Sequence, residues 1–579
     1  GDHRDLHLSI RRQRQMCIRD SIYTGQIDQL FAKLILKSGE LLMDLVMLEG
    51  QILTMDAKSA RAEALAVKNG KFVAVGSNAE IRNHITESTK VVHLNGRTIT
   101  PGFIDPHNHF SMTTFEPVSI DCRMPPLGKQ SVLDAVAVTA SSRPNGQWIW
   151  GLGYNAMVSG EPIITMGELD EVAPDNPVII MDFSYHACYA NSAALKLAGI
   201  DSETPDPHKG WIQKGDDGKL NGFLWERAMD PVHRMSMKAH MEEYGDDGIA
   251  DLVHQNAMRH LAYGITSIGD ALTMNDSADV YRIADSKGKL PIAVQQLRGG
   301  DGFFQIPEQA SKGVFDQDNV SDRLRGGAMK LFMDPVYPMY GMNHCDAAGH
   351  LTPAGEMYYT QEEVDELVLS ATSKGIQVAI HSIGDRAIDQ TLNSFERAIN
   401  EVPGADKLRL RIEHLSFPRE DQIKRAASMP IVISGQPPFL YSIGDMFQGV
   451  VEEFGIDLPA DPYRVMVDSG ATIAAGSDFP CAPLNPMIGI SVLATRKTAA
   501  GSIIAPEQAI SAEETLRQYT NGSAYAIHRD HEVGSIEVGK RADMVVLSHN
   551  PTTVSPDSIM NITVQQTYVD GDLKYERYA

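Results

Sequence analysis

The strongest constraint in this sequence is a repeated alternation of short, continuously apolar runs with longer helical stretches. The apolar runs are GITSIGD (264–270), PIAVQQL (291–297), GGAMKLFMD (326–334), GIQVAIHSIGD (375–385), RLRIEHL (409–415), PIVISGQ (430–436) and ATIAAGSD (471–478). Continuous apolarity, in place of in–out alternation, marks strands covered on both faces, as in parallel sheets. Stretches such as EEVDELVLSATSKG and EETLRQYTNGSAYAI supply the helices between them. This recurrence predicts an α/β fold, a (β/α)8 TIM barrel. RTITPGFIDPHNHF (97–110) provides the first strand, and the barrel is expected over 101–533. The stretch within about 111–260 is too long for one crossover and is expected to carry an inserted lobe.

Both ends of the chain are β-rich. DLVMLEGQILTMD and EALAVKNGKFVAVGS lie in 44–100, the second with Asn69-Gly70 between two runs rich in Val and Ala, a hairpin signal. GSIEVGKRADMVVLSHNP (534–551) and ITVQQTYVDGDLKY (562–575) answer them at the far end. The segments 44–100 and 534–579 are therefore expected to pair into one small β-sandwich, since chain termini often lie close together. Residues 1–43 are expected to stand outside the fold. Within them, 1–21 are basic and lack an apolar period, and QMCIRDS resembles the translation of a sequencing-library adapter. A native start near Met43 is the expectation, which leaves open whether a leader once preceded it.

Composition narrows the function class. The formal net charge of −24 repels phosphate backbones and anionic headgroups, which argues against nucleic-acid and membrane partners. Five cysteines with no Cys-x-x-Cys pair exclude a disulfide scaffold and a thiolate zinc finger. No apolar run reaches the roughly 18 residues needed to span a bilayer. A cytoplasmic protein acting on a small molecule, assembling as a homodimer, is the expectation.

The informative residues sit where the apolar runs end. The first strand finishes with His107 and His109, on one side of an extended chain. Later strands finish with His381, His414 and Asp478, and Lys330 lies inside the apolar GAMKLF. Barrel active sites gather at C-terminal strand ends, where these six residues would converge. Neutral imidazole and carboxylate are ligands for zinc or a related divalent ion. Taken singly, each has a plainer reading: a hydrogen-bonded core histidine, or an N-cap at Asp478. Lys330 is harder to explain that way, because a buried ammonium is costly.

The motif set GFIDPHNH, MKLF, IHSIGDRA, RIEH and GSDFP, in this order, resembles the metal-dependent amidohydrolase superfamily, and within it amidohydrolase family 3. The resemblance covers roughly 44–575. It implies that His107 and His109 bind the more buried of two divalent ions, zinc first, with manganese, iron and cobalt accepting the same ligands. It implies that Lys330 carries a CO2-derived carbamate bridging the ions, that His381 and His414 hold the second, and that Asp478 binds metal and handles protons. Two ions about 3.5–4 Å apart would bring a water between them near neutrality as a source of hydroxide. Asp478 would take the proton and pass it to the leaving nitrogen.

A second tier is expected to shape the substrate pocket. His186 in DFSYHACYANSAAL, Glu226 in NGFLWE and Arg386 in GDRA match family positions, His186 as a further catalytic candidate and the other two as substrate-binding residues. Tyr154, Trp225 and the FSYHACY cluster are candidates for an apolar lining, although aromatic residues more often belong to a core. Cys481 reads as a pocket wall rather than a catalytic thiol. Two departures from the family pattern, Gly269-Asp270 for the usual His-Asp and Asp334-Pro335 for the usual Asp-Gly, are expected at the substrate entrance. The function these readings imply is hydrolysis of a non-peptide C–N bond in an amide, formamide or related N-acyl compound. A lactonase, esterase or deaminase on the same site, and a metal-free scaffold, are the alternatives; no ligand loss of the kind expected in a scaffold is visible.

Overall fold

The computed structural model describes residues 44–577 apart from 59, 124–127, 155, 157–162, 216, 276, 301–320 and 335–356. Residues 1–43, and the departure at Pro335 with the segment after it, lie outside the described residues. Eight parallel strands form the central sheet: β1 (Phe103–Asn108), β2 (Ile265–Met274), β3 (Ala293–Gly300), β4 (Leu324–Phe332), β5 (Gln377–Ser382), β6 (Arg411–His414), β7 (Val432–Gly435) and β8 (Ile473–Ala475). They neighbour one another in chain order, as expected of a (β/α)8 barrel. Register fixes the relation of the polar positions. Phe332 lies opposite His381, His381 opposite Glu413, and Ser382 opposite His414.

The seam between β1 and β8 is not a ladder. β8 has only three residues, and the sheet order ends at β8 on one side and β1 on the other. Asp105 of β1 stitches it instead. Its carboxylate accepts the Ser477 amide at 2.9 Å, the Ser477 hydroxyl, the Asn108 amide group at 2.9 Å and the His107 amide at 3.3 Å. Just above, the Asp478 amide donates to the His107 carbonyl at 2.8 Å and the His109 amide to the Phe479 carbonyl at 2.9 Å. Gly476 permits the approach, since a Cβ there would stand 3.0 Å from both Asp105 Oδ1 and His107 Cβ.

Sequence continuity misleads at the first strand. RTITPGFIDPHNHF is two strands: Thr98–Pro101 pairs antiparallel with Met544–Leu547 in a terminal sheet, and only Phe103–Asn108 enters the barrel. The break falls at Gly102, where a Cβ would lie 2.3 Å from Thr266 Oγ1. EETLRQYTNGSAYAI likewise is not one regular helix. A widened π-turn over Gln518–Gly522 separates Ala512–Arg517 from Ser523–Ala526, because Gly522 lies so close on β8 that a Cβ would meet the Ile473 carbonyl at 2.0 Å.

The two chain ends build a six-stranded sheet, in which Met544–Leu547 and Val564–Val569 pair beside Thr98–Pro101 and Gln51–Leu53, while the N-terminal segment alone builds a neighbouring four-stranded sheet. In the latter, Asn69 (φ 50°) and Gly70 (φ 72°) turn the chain between Ala64–Lys68 and Lys71–Gly76. Between β1 and β2 a second six-stranded sheet spans Ile120–Asp121 to Leu220–Glu226, and the helix Asp230–Ala262, broken at Gly245 (φ 57°), returns to the barrel. The turn joining Val178–Asp182 to Ala187–Ala190 brings Phe183 to His186 to the barrel mouth.

Asp105→Ala should lower unfolding stability by about 3 kcal/mol, because it leaves buried donors at the seam without an acceptor. Asp105→Asn, which retains an acceptor oxygen, should cost less. Denaturant midpoints of the two variants check this, and an unchanged midpoint for Asp105→Ala would show that the seam holds without it.

Candidate metal centre

Strand ends set the geometry of the site. His107 and His109 leave the end of β1, His381 sits near the end of β5, His414 ends β6, and Asp478 follows β8. Ring centroids of His381 and His414 are 4.4 Å apart, those of His107 and His414 4.8 Å, and those of His107 and His109 5.7 Å. Asp478 Oδ1 lies 2.8 Å from His109 Nε2 and 3.6 Å from His107 Nε2, and its Oδ2 lies 4.0 Å from His414 Nδ1. One ligand atom from each of His107, His109 and Asp478 falls within 4.8 Å of the others. His414 (φ 73°) and Asp478 (φ 55°) both have left-handed backbone, a costly conformation for residues with side chains and one that recurs at functional sites.

Burial and charge decide the protonation states. Burial lowers the pKa of His107, with Lys330 adding to the effect. It does the same at His381, aided by His414, and at His414, aided by His107. These rings are therefore neutral and carry lone pairs. Burial works to raise Asp478, but His107, His109 and His414 hold its carboxyl far below the usual range. Burial brings Lys330 down to about 8, against the opposing pull of Glu413 and Asp478. Its ammonium lies 4.7 Å from the Phe332 ring centroid.

Glu413, inside the RIEH motif, has a defined part in this arrangement. Its Oε2 receives His107 Nδ1 at 2.5 Å, and Arg411 donates to Oε1 from Nε at 2.7 Å. Arg411 is wholly buried and also bonds the Pro106 carbonyl at 2.9 Å. Burial would raise the Glu413 carboxyl, yet Arg411 and His107 hold it well below normal. An ionised Glu413 accepts a hydrogen bond from the Nδ1–H of His107 and so leaves the Nε2 lone pair facing Asp478, an orientation typical of metal-ligating histidines. The signal in the sequence was the placement of Arg411 and Glu413 on either side of Ile412, both on one face of a strand buried throughout.

The donor set fits a divalent cation. Among the described residues, His381 Nε2 and His414 Nδ1 are buried without a hydrogen-bond partner, and Asp478 Oδ1 is buried against the His109 ring. Buried polar atoms are otherwise nearly always satisfied. Neutral imidazole nitrogens and an ionised carboxylate directed at one small volume satisfy the ligand chemistry of zinc and its neighbours.

The second-tier residues divide. His186 lines the cavity above the cluster, with its ring centroid 5.9 Å from that of His381. Glu226 does not line it. It stands behind His186, both carboxylate oxygens 3.0 Å from Nδ1, so it orients that ring. Tyr154 packs against Tyr189 and Trp225 against Phe223 in the core of the inserted lobe, and Arg386 lies on the helix Asp385–Glu401, so none of the three reaches the cavity wall. Cys481 does line it, with Sγ 3.8 Å from the Ser184 carbonyl and burial pushing its thiol well up. The expected entrance position of the two departures needs correction. Gly269 packs so closely on the Pro106 carbonyl that a Cβ would lie 2.3 Å away. Asp270 is buried, accepting from Thr273 and Tyr281 at 2.8 Å each, and Asp334 accepts the Ile383 and Gly384 amides with an oxygen 3.6 Å from His381 Nε2. Burial pushes Asp334 up to about 8. The rest of the wall is mainly apolar, chiefly Leu272, Phe332, Phe439, Ile443, Met446 and Phe447, with Ser184, Tyr185 and Ser416 among it.

A parallel barrel that gathers imidazoles and an acid at its C-terminal rim defines a protein with a metal-type site in a mainly apolar cavity. Residues 90–575 match the Amidohydrolase family, and the chain belongs to it. It is 37% identical over 538 residues to the N-substituted formamide deformylase of Arthrobacter pascens, covering 92% of this chain and 98% of that protein. It is 28% identical to the putative amidohydrolase YtcJ of Bacillus subtilis, covering 91% and 98%. The fold is similar to that of a solved metal-dependent hydrolase from Pyrococcus horikoshii, with TM-score 0.70, 22% identity and coverage of 89% of this chain and 99% of that one. No helix among the described residues is long and apolar enough to cross a membrane.

Glu413→Gln should weaken divalent-ion affinity by about 10- to 100-fold, the usual effect of losing a partner that orients a ligating histidine. Competition with a metallochromic chelator measures it. Wild-type affinity in the variant would show that His107 needs no such partner.

Proposed function

We propose that this chain hydrolyses the C–N bond of a small, uncharged N-substituted amide, with formamides as the first class to test. The observation that carries this reading is the convergence of His107, His109, His381, His414 and Asp478 on one cavity whose remaining wall is mostly apolar. The name of the Arthrobacter pascens relative, an N-substituted formamide deformylase, supports the same class. His107 and His109 would hold one ion, and His381 and His414 a second, with Lys330 as a CO2-derived carbamate joining them and zinc as the fitting metal. Bound there, the ions would polarise a scissile carbonyl and lower the pKa of water toward neutrality.

The chain's own groups do the rest. Asp478 accepts the proton of the attacking water and returns it to the leaving nitrogen. Glu413 and Arg411 keep His107 turned toward the centre. His186, oriented by Glu226, stands over the cluster as a second proton-handling group. Phe439, Ile443, Met446 and Phe447 receive an apolar substituent and exclude water from the reacting bond. Among the described residues no Lys or Arg lines the cavity, which disfavours a substrate with a carboxylate beside the scissile bond.

Metal-loaded protein should turn over N-butylformamide or formanilide faster than phenyl acetate or γ-butyrolactone. Equal or better activity on the ester and lactone would replace the C–N reading with an ester-hydrolysing one. Asp478→Asn should keep most of the metal while kcat falls by about 10²- to 10⁴-fold with little change in KM. Near wild-type turnover at full metal occupancy would move the proton role elsewhere, to His186 first. Metal-loaded protein should also weigh more than its sequence by its metal ions plus one CO2, the covalent increment of a lysine carbamate. Lys330→Ala should lose metal and regain part of it with added formate or acetate. An unmodified lysine in metal-loaded protein would remove the carbamate.

A further inference from the structure

The inserted lobe places in the cavity wall one tyrosine that no role described so far uses. Tyr185 forms part of the cavity wall with His109, Asp478 and Cys481. The residue is 5% exposed, and its hydroxyl is buried with no hydrogen-bond partner among the described residues. Buried tyrosine hydroxyls normally find one. The backbone at Tyr185 is also left-handed, with φ 59°, which a side-chain-bearing residue adopts only when its surroundings enforce it.

Those surroundings are identifiable. Asp182 Oδ1 accepts the Ser184 amide at 3.0 Å and its hydroxyl at 2.7 Å, the Tyr185 amide donates to the Asp182 carbonyl at 3.0 Å, and the His186 amide donates to Ser184 Oγ at 3.2 Å. With the Phe183 amide donating to the Tyr154 carbonyl at 3.0 Å, the turn is bonded at every residue from Asp182 to His186, leaving the Tyr185 side chain as the exception. It also touches the turn that carries Asp478, through Cys481 Sγ against the Ser184 carbonyl at 3.8 Å. Arg123, tied to Glu116 and Asp121, acts electrostatically on the Tyr185 hydroxyl without bonding it. Burial pushes the phenol well above its ordinary pKa, so it keeps its proton and acts as a donor.

We infer that Tyr185 is a catalytic residue whose hydroxyl donates a hydrogen bond to the oxygen of the carbonyl under attack, and more strongly to that oxygen once it becomes tetrahedral. The proton stays on Tyr185 throughout; the hydroxyl stabilises developing negative charge and transfers nothing. A donor held in place by a strained, over-determined turn needs no reorganisation when charge develops, which is the condition under which such donors contribute most. This assignment rests on the amide-hydrolase reading of the cavity.

Tyr185→Phe removes the hydroxyl and keeps the ring. In metal-loaded protein kcat for formanilide should fall by about 10²- to 10³-fold, with KM changed far less. Metal content should be unchanged, and the melting temperature should stay level or rise, because the lost hydroxyl bonds nothing in the free protein. A hydroxyl with a merely structural role would give the opposite pair, a lower melting temperature with kcat preserved, and that result would overturn the inference. Binding of phenylphosphonate, a tetrahedral oxyanion with an apolar ring, provides a readout independent of turnover. Calorimetry should show wild-type protein binding it about tenfold or more tightly than Tyr185→Phe. Equal binding, or binding by neither, overturns the assignment. Absence of turnover on every amide, with the difference in phosphonate binding retained, would instead reject the proposed reaction and leave the Tyr185 donor in place.

Discussion

The site depends on how the barrel closes. Seven of the eight strand junctions are ladders, but β8 is too short to pair with β1, and closure passes to the carboxylate of Asp105. That group reaches across the seam to Ser477 and at the same time holds Asn108 and the His107 amide on its own strand. The two segments so joined are the ones that carry His107, His109 and Asp478. Burial pushes Asp105 up to about 6 while four donors pull the other way, so its charge is affordable only in this bonded position. A laddered eighth strand would have aligned the backbones and left Asp478 to a conventional extended conformation. The stitched seam instead lets the chain turn at Asp478 with a positive φ, directing its carboxylate at both β1 histidines.

Around that seam the barrel interior is organised by charge. Arg411, Glu413 and His107 form a chain of bonds through the floor, every member fully or almost fully buried. Removing a charged member would leave its partner buried and unpaired, which costs several kcal/mol by general experience with such pairs, about 3–5. His381 and His414 above that floor are kept neutral by burial and by the neighbouring rings. Neutral rings packed this closely waste hydrogen-bonding capacity, and a cation is a partner that could satisfy His107, His109 and Asp478 together. The same buried floor that contributes stability is thus what holds His107 in its orientation toward Asp478.

Much of this was legible in the sequence, for a physical reason. Strands covered on both faces tolerate few polar residues, so His381, His414 and Lys330 stand out against apolar neighbours, and parallel topology sends their ends to one rim. What the sequence could not show was pairing across distance. Glu413 lies 306 residues from His107, and nothing local marks it as that histidine's partner. The same limit applies to Glu226, which looked like a pocket residue and instead orients His186 from behind. Tyr154 and Trp225 carry the aromatic character of a pocket but fill the lobe's core, the commoner fate of such rings. The single strand expected over 97–110 fails at Gly102, where close backbone packing, invisible in hydrophobicity, sends the two halves into different sheets.

The inserted lobe makes the last contribution to the site, and its form explains why the barrel alone does not determine chemistry. The barrel supplies the clustered histidines, Asp478 and the chain that orients His107, an arrangement not tied to one substrate. The lobe supplies Phe183 to His186, and with them the only part of the described cavity wall that both faces the ligands and comes from outside the barrel and its rim loops. Its two left-handed residues there, Tyr185 and Glu226, sit at the ends of strands that pair through Ala187–Ala190, so strain in the turn is carried by a sheet rather than by a loose loop. A strained turn on a rigid sheet keeps its side chains at fixed distance from the barrel rim. Changes to the lobe can therefore re-aim the groups that meet a substrate while leaving Asp105, Arg411 and Glu413, and the metal-type cluster they organise, untouched.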